Sequence, residues 1–219
     1  MQAKKFIPLD YTIPDEALLV SNAASFKAKM DSRRSVRLFS DKWVAKSVIE
    51  DIIMTASSAP SGAHKQPWTF CAVSDVDIKS KIRTAAEKEE FENYHGRMSE
   101  EWIKDLEKFD TNWHKEFLTE APWLIIIFKK AYDILEDGSK AKNYYVTESV
   151  GIAAGFLISA IHMAGLVTLT HTPSPMNFLQ QILERPENEK PFLLLPVGYP
   201  ANGVEVPDLK RKKAEDVIK

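Results

Sequence analysis

Apolar positions along the chain recur with two periods. Val48, Ile49, Ile52, Ile53 and Ala56 mark one face of a helix, entered through a capping box, Ser47-Val48-Ile49-Glu50. A helix is expected over 15–30, and another over 75–95 with Ile78, Ile82, Ala85 and Ala86 inward. The segment 143–165 is apolar almost all round, so it needs more cover than one sheet face supplies. A short helix is expected over 175–183. Continuous apolar or β-rich runs at 66–74, 122–128, 166–170 and 191–200 predict strands. Strands and helices alternate only partly, which predicts an α+β or mixed-sheet domain. No linker divides the chain. One domain is expected over 1–219, with a proline-punctuated N-terminal arm at 1–15 and a C-terminal extension at 201–219. Such tails are suited to embracing a partner.

Residues 87–115 differ in kind. They hold nine Asp/Glu residues yet also Phe91, Tyr94, Met98, Trp102, Phe109 and Trp113. A charged but aromatic-studded stretch reads as a mobile flap.

Composition adds mainly exclusions. The chain has 219 residues, enough for one sizeable core, and a formal net charge of −2. That balance points to neither nucleic acid nor an anionic membrane. The N-terminus has no apolar signal-peptide core, and 149–161 is too short to span a bilayer. A single cysteine, Cys71, excludes an internal disulfide and suits a reducing compartment. The five histidines form no metal-ligand motif, so no metal is expected. No G-x-S-x-G elbow and no G-x-G-x-x-G fingerprint are present.

Three stretches carry candidate chemistry. In Ser32-Arg33-Arg34-Ser35-Val36-Arg37, guanidinium forks, hydroxyls and backbone N–H groups could cradle a phosphate. Arg33, Ser35 and Arg37 alternate, so in an extended segment they share a side. A solvated basic turn explains the same residues. In Pro60-Ser61-Gly62-Ala63-His64, small side chains would let a flat ligand approach the backbone, or the stretch is an ordinary tight turn. Glu90 and Tyr94 share a helix face at i, i+4, and with Lys115 they could grip an amino-acid zwitterion. A solvated helix and a surface lysine is the plainer alternative.

Taken in order, these motifs resemble the FMN-dependent nitroreductase superfamily. The resemblance rests on Arg33–Arg37, Pro60-Ser61-Gly62-Ala63-His64-x-x-Pro67-Trp68, the Thr170–Thr172 loop, Leu195–Pro200 and Pro207-Asp208-Leu209-Lys210-Arg211-Lys212. Glu90, Asn93-Tyr94 and Thr111-Asn112-Trp113-x-Lys115-Glu116 narrow it to the iodotyrosine deiodinase branch. The resemblance implies a mixed, mainly antiparallel sheet flanked by helices, in a domain-swapped homodimer with FMN at the subunit interface. Arg33, Arg34, Ser35 and Arg211 would hold the FMN phosphate, and Arg37 would lie near the N1/C2=O end of the ring. Pro60, Ser61, Gly62, Thr170, His171 and Thr172 would complete the cofactor site, Thr172 donating to flavin N5. Ala63 would donate its N–H to the phenolate oxygen of a halotyrosine, and Glu90, Tyr94 and Lys115 would hold the zwitterion beneath the flap at 87–115. The implied activity is reductive dehalogenation of halotyrosines by stepwise electron transfer, with NAD(P)H or a flavin reductase as electron source. The alternative is a general nitro- or quinone reductase. Vertebrate relatives carry a membrane anchor, and this chain shows none, so a soluble, cytoplasmic, bacterial member is expected. The stretch Thr170-His171-Thr172-Pro173-Ser174-Pro175-Met176-Asn177 departs from the family pattern, a threonine run followed by Pro-Leu-Asn.

Overall fold

The computed structural model describes residues 6–219 as two compact units, one ending at Arg33 and one running Arg34–Lys219. Of the expected arm, residues 1–5 lie outside the described residues. The remainder is extended, and Phe6, Ile7, Leu9 and Ile13 are all more than 80% exposed. Helix α1 (Glu16–Asp31) follows, one residue from its expected bounds. Asp15 caps it by accepting from the Leu18 N–H at 2.7 Å. No residue of α1 is buried.

The second unit is built on four strands, β1 (Trp68–Val73), β2 (Trp123–Lys130), β5 (Val167–Thr168) and β6 (Glu189–Gly198). They pair in the order β1-β2-β6-β5, antiparallel throughout. A hairpin, β3 (Tyr132–Ile134) and β4 (Lys140–Lys142), stands apart. The helices are α2 (Lys46–Ser57), α3 (Val76–Glu92), α4 (Glu100–Glu107), α5 (Phe117–Glu120), α6 (Val146–Met163), α7 (Asn177–Ile182) and α8 (Ala214–Val217). This is an α+β fold, as expected.

Strand β2 organises the core. Trp123, Ile125 and Ile127 join the cluster containing Ile49, Ile52 and Ala56 of α2 and Val150, Ala153 and Leu157 of α6. Leu124, Ile126 and Phe128 join the opposite cluster, with Ile82 and Ala86 of α3, Leu118 of α5 and Leu179 of α7. Leu124 to Phe128 are 0% exposed. A strand covered on both faces has no polar side to show, so it reads as a continuous apolar run. Each such burial is worth about 1.5–3 kcal/mol.

Two expectations need correction. The Ser47–Glu50 capping box is absent: α2 begins at Lys46 behind Ala45, with no side-chain cap. The helix expected over 75–95 leaves α-geometry at Glu92 and closes through a π-turn, Asn93–Arg97. Helix α6, whose apolar surface called for more cover than one sheet face supplies, is covered on one face within the single chain, in keeping with that expectation. Ile152, Phe156 and Met163 stay exposed at 44%, 40% and 55%. Among the described residues α6 alone is long and apolar enough to cross a membrane, but its buried face packs on α2 and the sheet.

Candidate active site

The end of α3 and the chain returning toward α5 enclose a polar interior. Glu90 and Lys115 are 7% and 4% exposed, and their carboxylate and ammonium lie 3.4 Å apart. The Lys115 ammonium also donates to the Asn112 carbonyl, and its peptide N–H donates to Glu87 Oε1 at 2.7 Å. Burial holds the ammonium below the usual lysine range, partly offset by the Glu90 carboxylate. Lys115 Nζ sits 5.6 Å from the centre of the Tyr94 ring, whose hydroxyl donates to the Thr111 carbonyl at 3.3 Å. Burial pushes that phenol up. Glu90 and Lys115 are therefore buried against each other, with Tyr94 half-buried beside them, rather than lying on a solvated surface.

Sheet geometry presents the second set. The Val36 N–H donates to Thr168 at the end of β5, at 3.2 Å, so Ser35–Arg37 runs beside that strand. Ser35 and Arg37 line one cavity of about 450 Å³ with Leu38, Phe109 and Pro207, as their alternation predicts. Arg34 donates to the Pro207 carbonyl, which fastens the segment leading to Arg211. Arg211 is exposed. The remaining arginine, Arg33, ends the first unit, its N–H donating to Met30 at 3.2 Å.

Arg37 also lines a second cavity of about 240 Å³, together with Glu90, Tyr94, Lys115, Thr170, His171 and Thr172. Thr170 and Thr172 are exposed. His171 between them is buried, its N–H and C=O paired with Leu194 at 2.8 and 3.1 Å. Its ring stands edge-on to Phe117, centroids 5.4 Å apart. Its Nε2 is buried without a hydrogen-bond partner. Burial, then the charges of Lys115 and Arg37, bring its pKa down to about 3.

The loop 60–64 lines neither cavity. Gly62 donates its N–H to Ser149 Oγ at 3.2 Å. A Cβ at Gly62 would meet the Tyr145 ring at 2.8 Å and the Tyr144 carbonyl at 2.9 Å. The space left by its missing side chain is thus filled by the chain itself rather than kept for a ligand. Ala63 and His64 adopt positive φ, 51° and 56°, a strained state costing about 1–3 kcal/mol per residue and typical of functional loops. Pro60 and Ala63 are exposed, Ser61 and Gly62 half-buried.

Several wall residues were given no site role from the sequence. Phe109 lies under the Arg37 guanidinium at 5.3 Å. Asn93 donates to the Ser174 carbonyl at 3.1 Å, joining the π-turn to the His171–Asn177 loop. Met98, Trp102 and Leu106 line the smaller cavity from α4 and the residue before its cap. Their i, i+4, i+8 spacing is a helical signal that the charge density around them hid.

A family model described as the Nitroreductase family matches residues 30–199. The chain belongs to the nitroreductase family. Among its nitroreductase relatives, an iodotyrosine deiodinase of Haliscomenobacter hydrossis is 64% identical over 217 residues, 99% of this chain and 98% of that protein. An iodotyrosine deiodinase of Danio rerio is 47% identical over 216 residues, 97% of this chain and 72% of that protein. The crystal structure of oxidised iodotyrosine deiodinase bound to FMN and 3-iodo-L-tyrosine superposes with a TM-score of 0.74 at 28% identity. It covers 89% of this chain and 97% of that one. The expected nitroreductase fold is thereby established.

Proposed function

We propose that this nitroreductase is an FMN-dependent iodotyrosine deiodinase, cytoplasmic and active as a domain-swapped homodimer. The observation that carries the reading is the buried Glu90–Lys115 pair, with Tyr94, sharing one cavity with Arg37 and Thr172. An open-site nitro- or quinone reductase has no use for a buried zwitterion clamp. The high identity to iodotyrosine deiodinases over nearly the whole chain supports the same reading.

The residues present fit FMN. Arg34 and Ser35 offer a phosphate grip, and the Arg34–Pro207 bond keeps the segment leading to Arg211 close by. Arg37 favours negative charge at the N1/C2=O end of the ring. The unpartnered His171 Nε2 is a buried polar atom in the wall beside Thr170 and Thr172, where a bound group would satisfy it. FMN supplies the two electrons when bound, and NAD(P)H or a flavin reductase restores them.

The second copy supplies what one chain lacks. Its Pro60–Ala63 loop, absent from both cavity walls, lies over the flavin. The bare Ile152–Phe156 face of α6 and the apolar arm are the surfaces it covers. Residues 6–15 act as part of the N-terminal arm, 87–115 as the substrate flap and 201–219 as the extension within a single domain.

Glu90 accepts from the substrate ammonium and Lys115 pairs with its carboxylate, which exchanges their mutual contact for two ligand contacts. Tyr94 and Trp102 close over the substrate, and the flap excludes water. The Ala63 N–H donates to the phenolate oxygen, and the carbon–halogen bond accepts electrons once the ring has passed to its non-aromatic keto tautomer. Thr172 would donate to flavin N5 with FMN bound. In balance, the carbon–halogen bond breaks and a carbon–hydrogen bond forms. Two electrons and one proton are consumed, and halide leaves.

The test is anaerobic mixing of the reduced, flavin-loaded protein with 3-iodotyrosine. Flavin reoxidation with release of tyrosine and iodide is expected. Reduced flavin that persists in iodotyrosine yet reoxidises with a nitroarene would replace this reading by the general reductase.

A further inference from the structure

Lys79, Arg83 and Glu87 recur every four residues along α3, and Glu90 follows one turn later. All three make contacts with the chain returning from the flap. Lys79, 5% exposed, donates to the carbonyls of Thr119 at 3.1 Å and Ala121 at 2.8 Å. These oxygens lie at the end of α5, where carbonyls lack helical partners. Arg83 donates to Thr119 Oγ1 at 3.0 Å and Glu87 Oε1 at 2.8 Å, and its guanidinium lies 3.6 Å from Glu116. The same Glu87 oxygen accepts the Lys115 N–H. The return leg from Lys115 to Ala121 is thus bonded to α3.

The flap proper is held differently. Arg97 pairs with Glu89 at 2.6 Å through side chains 48% and 23% exposed, and Tyr94 reaches the Thr111 carbonyl at 3.3 Å. Exposed pairs of this kind contribute little. The bonds of Glu87 are charge-assisted, its carboxylate is 18% exposed, and such bonds are about twice as strong as neutral ones.

We propose that Glu87 is a positioning residue for substrate recognition: it fixes the Lys115 backbone, with Arg83 and Lys79 as its support, so that Lys115 keeps its place when the flap opens. Lysine carries a long stem with roughly 2 kcal/mol of rotamer entropy. Anchoring its peptide one helical turn from Glu90 leaves the side chain alone to be ordered when a zwitterion arrives. Glu87 touches no substrate in this scheme, since its oxygen is already taken by the Lys115 N–H and Arg83. The inference rests on the reading of Glu90 and Lys115 as the zwitterion clamp.

Three variants of the flavin-loaded protein test it. Glu87→Ala should raise the Kd for 3-iodotyrosine about tenfold, equivalent to about 1.4 kcal/mol. Affinity for 2-iodophenol, which lacks the amino-acid group, and flavin content should stay at native values. Glu87→Gln should recover most of the loss, because its amide oxygen can still accept the Lys115 N–H. Without ligand, the Lys115 amide should exchange faster in Glu87→Ala than in the native protein, and Arg83→Leu should shift both readouts the same way by a smaller factor. It serves in place of Glu87→Ala if that variant does not fold. Unchanged affinity for 3-iodotyrosine, equal losses for both ligands, or unchanged exchange at Lys115 would overturn the proposal. A native protein that binds no 3-iodotyrosine would count against the substrate reading instead, and exchange at Lys115 would still decide the role of Glu87.

Discussion

Strand β2 and the Glu90–Lys115 pair beside α3 are both buried, yet they are held by different physics. In β2, Leu124 to Phe128 fill both faces of the sheet, and nothing outside the chain is needed to satisfy them. In the cavity, Glu90 and Lys115 are withdrawn from water at a cost that their 3.4 Å contact offsets only in part. His171 Nε2 has no partner. A core closed by apolar packing is finished in one chain. A core holding unpaired polar atoms is finished by a ligand, and that asymmetry is how the functional region declares itself.

The comparison can be broken first at the core. Phe128→Ala should lower unfolding stability by about 3–5 kcal/mol in denaturant titration. The surviving folded fraction should keep its preference for 3-iodotyrosine over 2-iodophenol. A small loss would mean that β2 is not the mechanical centre.

His171 sharpens it through pH. Its folded value of about 3 lies below the ordinary 6.5, so between these the unfolded chain binds more protons and stability rises with pH. Lowering the pH from 6.5 to about 4 should therefore remove roughly 3 kcal/mol through this group. His171→Thr should lose that much less over the same interval. Parallel stability–pH curves would show that His171 is charged or exposed in the folded protein.

The clamp comes next. Lys115→Ala and Glu90→Gln should each weaken 3-iodotyrosine binding by about 2–4 kcal/mol and leave 2-iodophenol binding nearly unchanged. Equal losses for both ligands would place the damage in the flavin site or the fold.

The smallest effect belongs to Thr172. Thr172→Ala should slow dehalogenation about tenfold, about 1.4 kcal/mol at the barrier, while nitroreductase activity of the same flavin-loaded variant is spared or raised. A parallel fall in both activities would reduce Thr172 to a loop-shaping residue.

Much of this was legible along the chain. The apolar run at 122–128 was readable as a strand. Alternation in Ser35–Arg37 put two cofactor candidates on one side, and i, i+4 spacing put Glu90 with Tyr94. These are local signals, written within one or two turns of backbone. Capping at Ser47 was misread because Ala45 already held extended geometry before α2. Helix α4 was missed because Glu100, Glu101, Asp105 and Glu107 outnumber its apolar stripe.

Composition and periodicity also settle that the chain folds around one apolar sheet, since the strands and helices that build it announce themselves in runs of a few residues. They do not say that Lys115 stands against Glu90. Those residues are 25 positions apart, and they meet because the chain leaves α3 through a π-turn, passes α4 and is drawn back by Glu87, Arg83 and Lys79. Nor do they say that His171 is neutral and unpartnered, or that Gly62 makes room for Tyr145. Burial and electrostatic coupling depend on which segments the packed chain brings within a few ångströms, and no short window of sequence contains that distance.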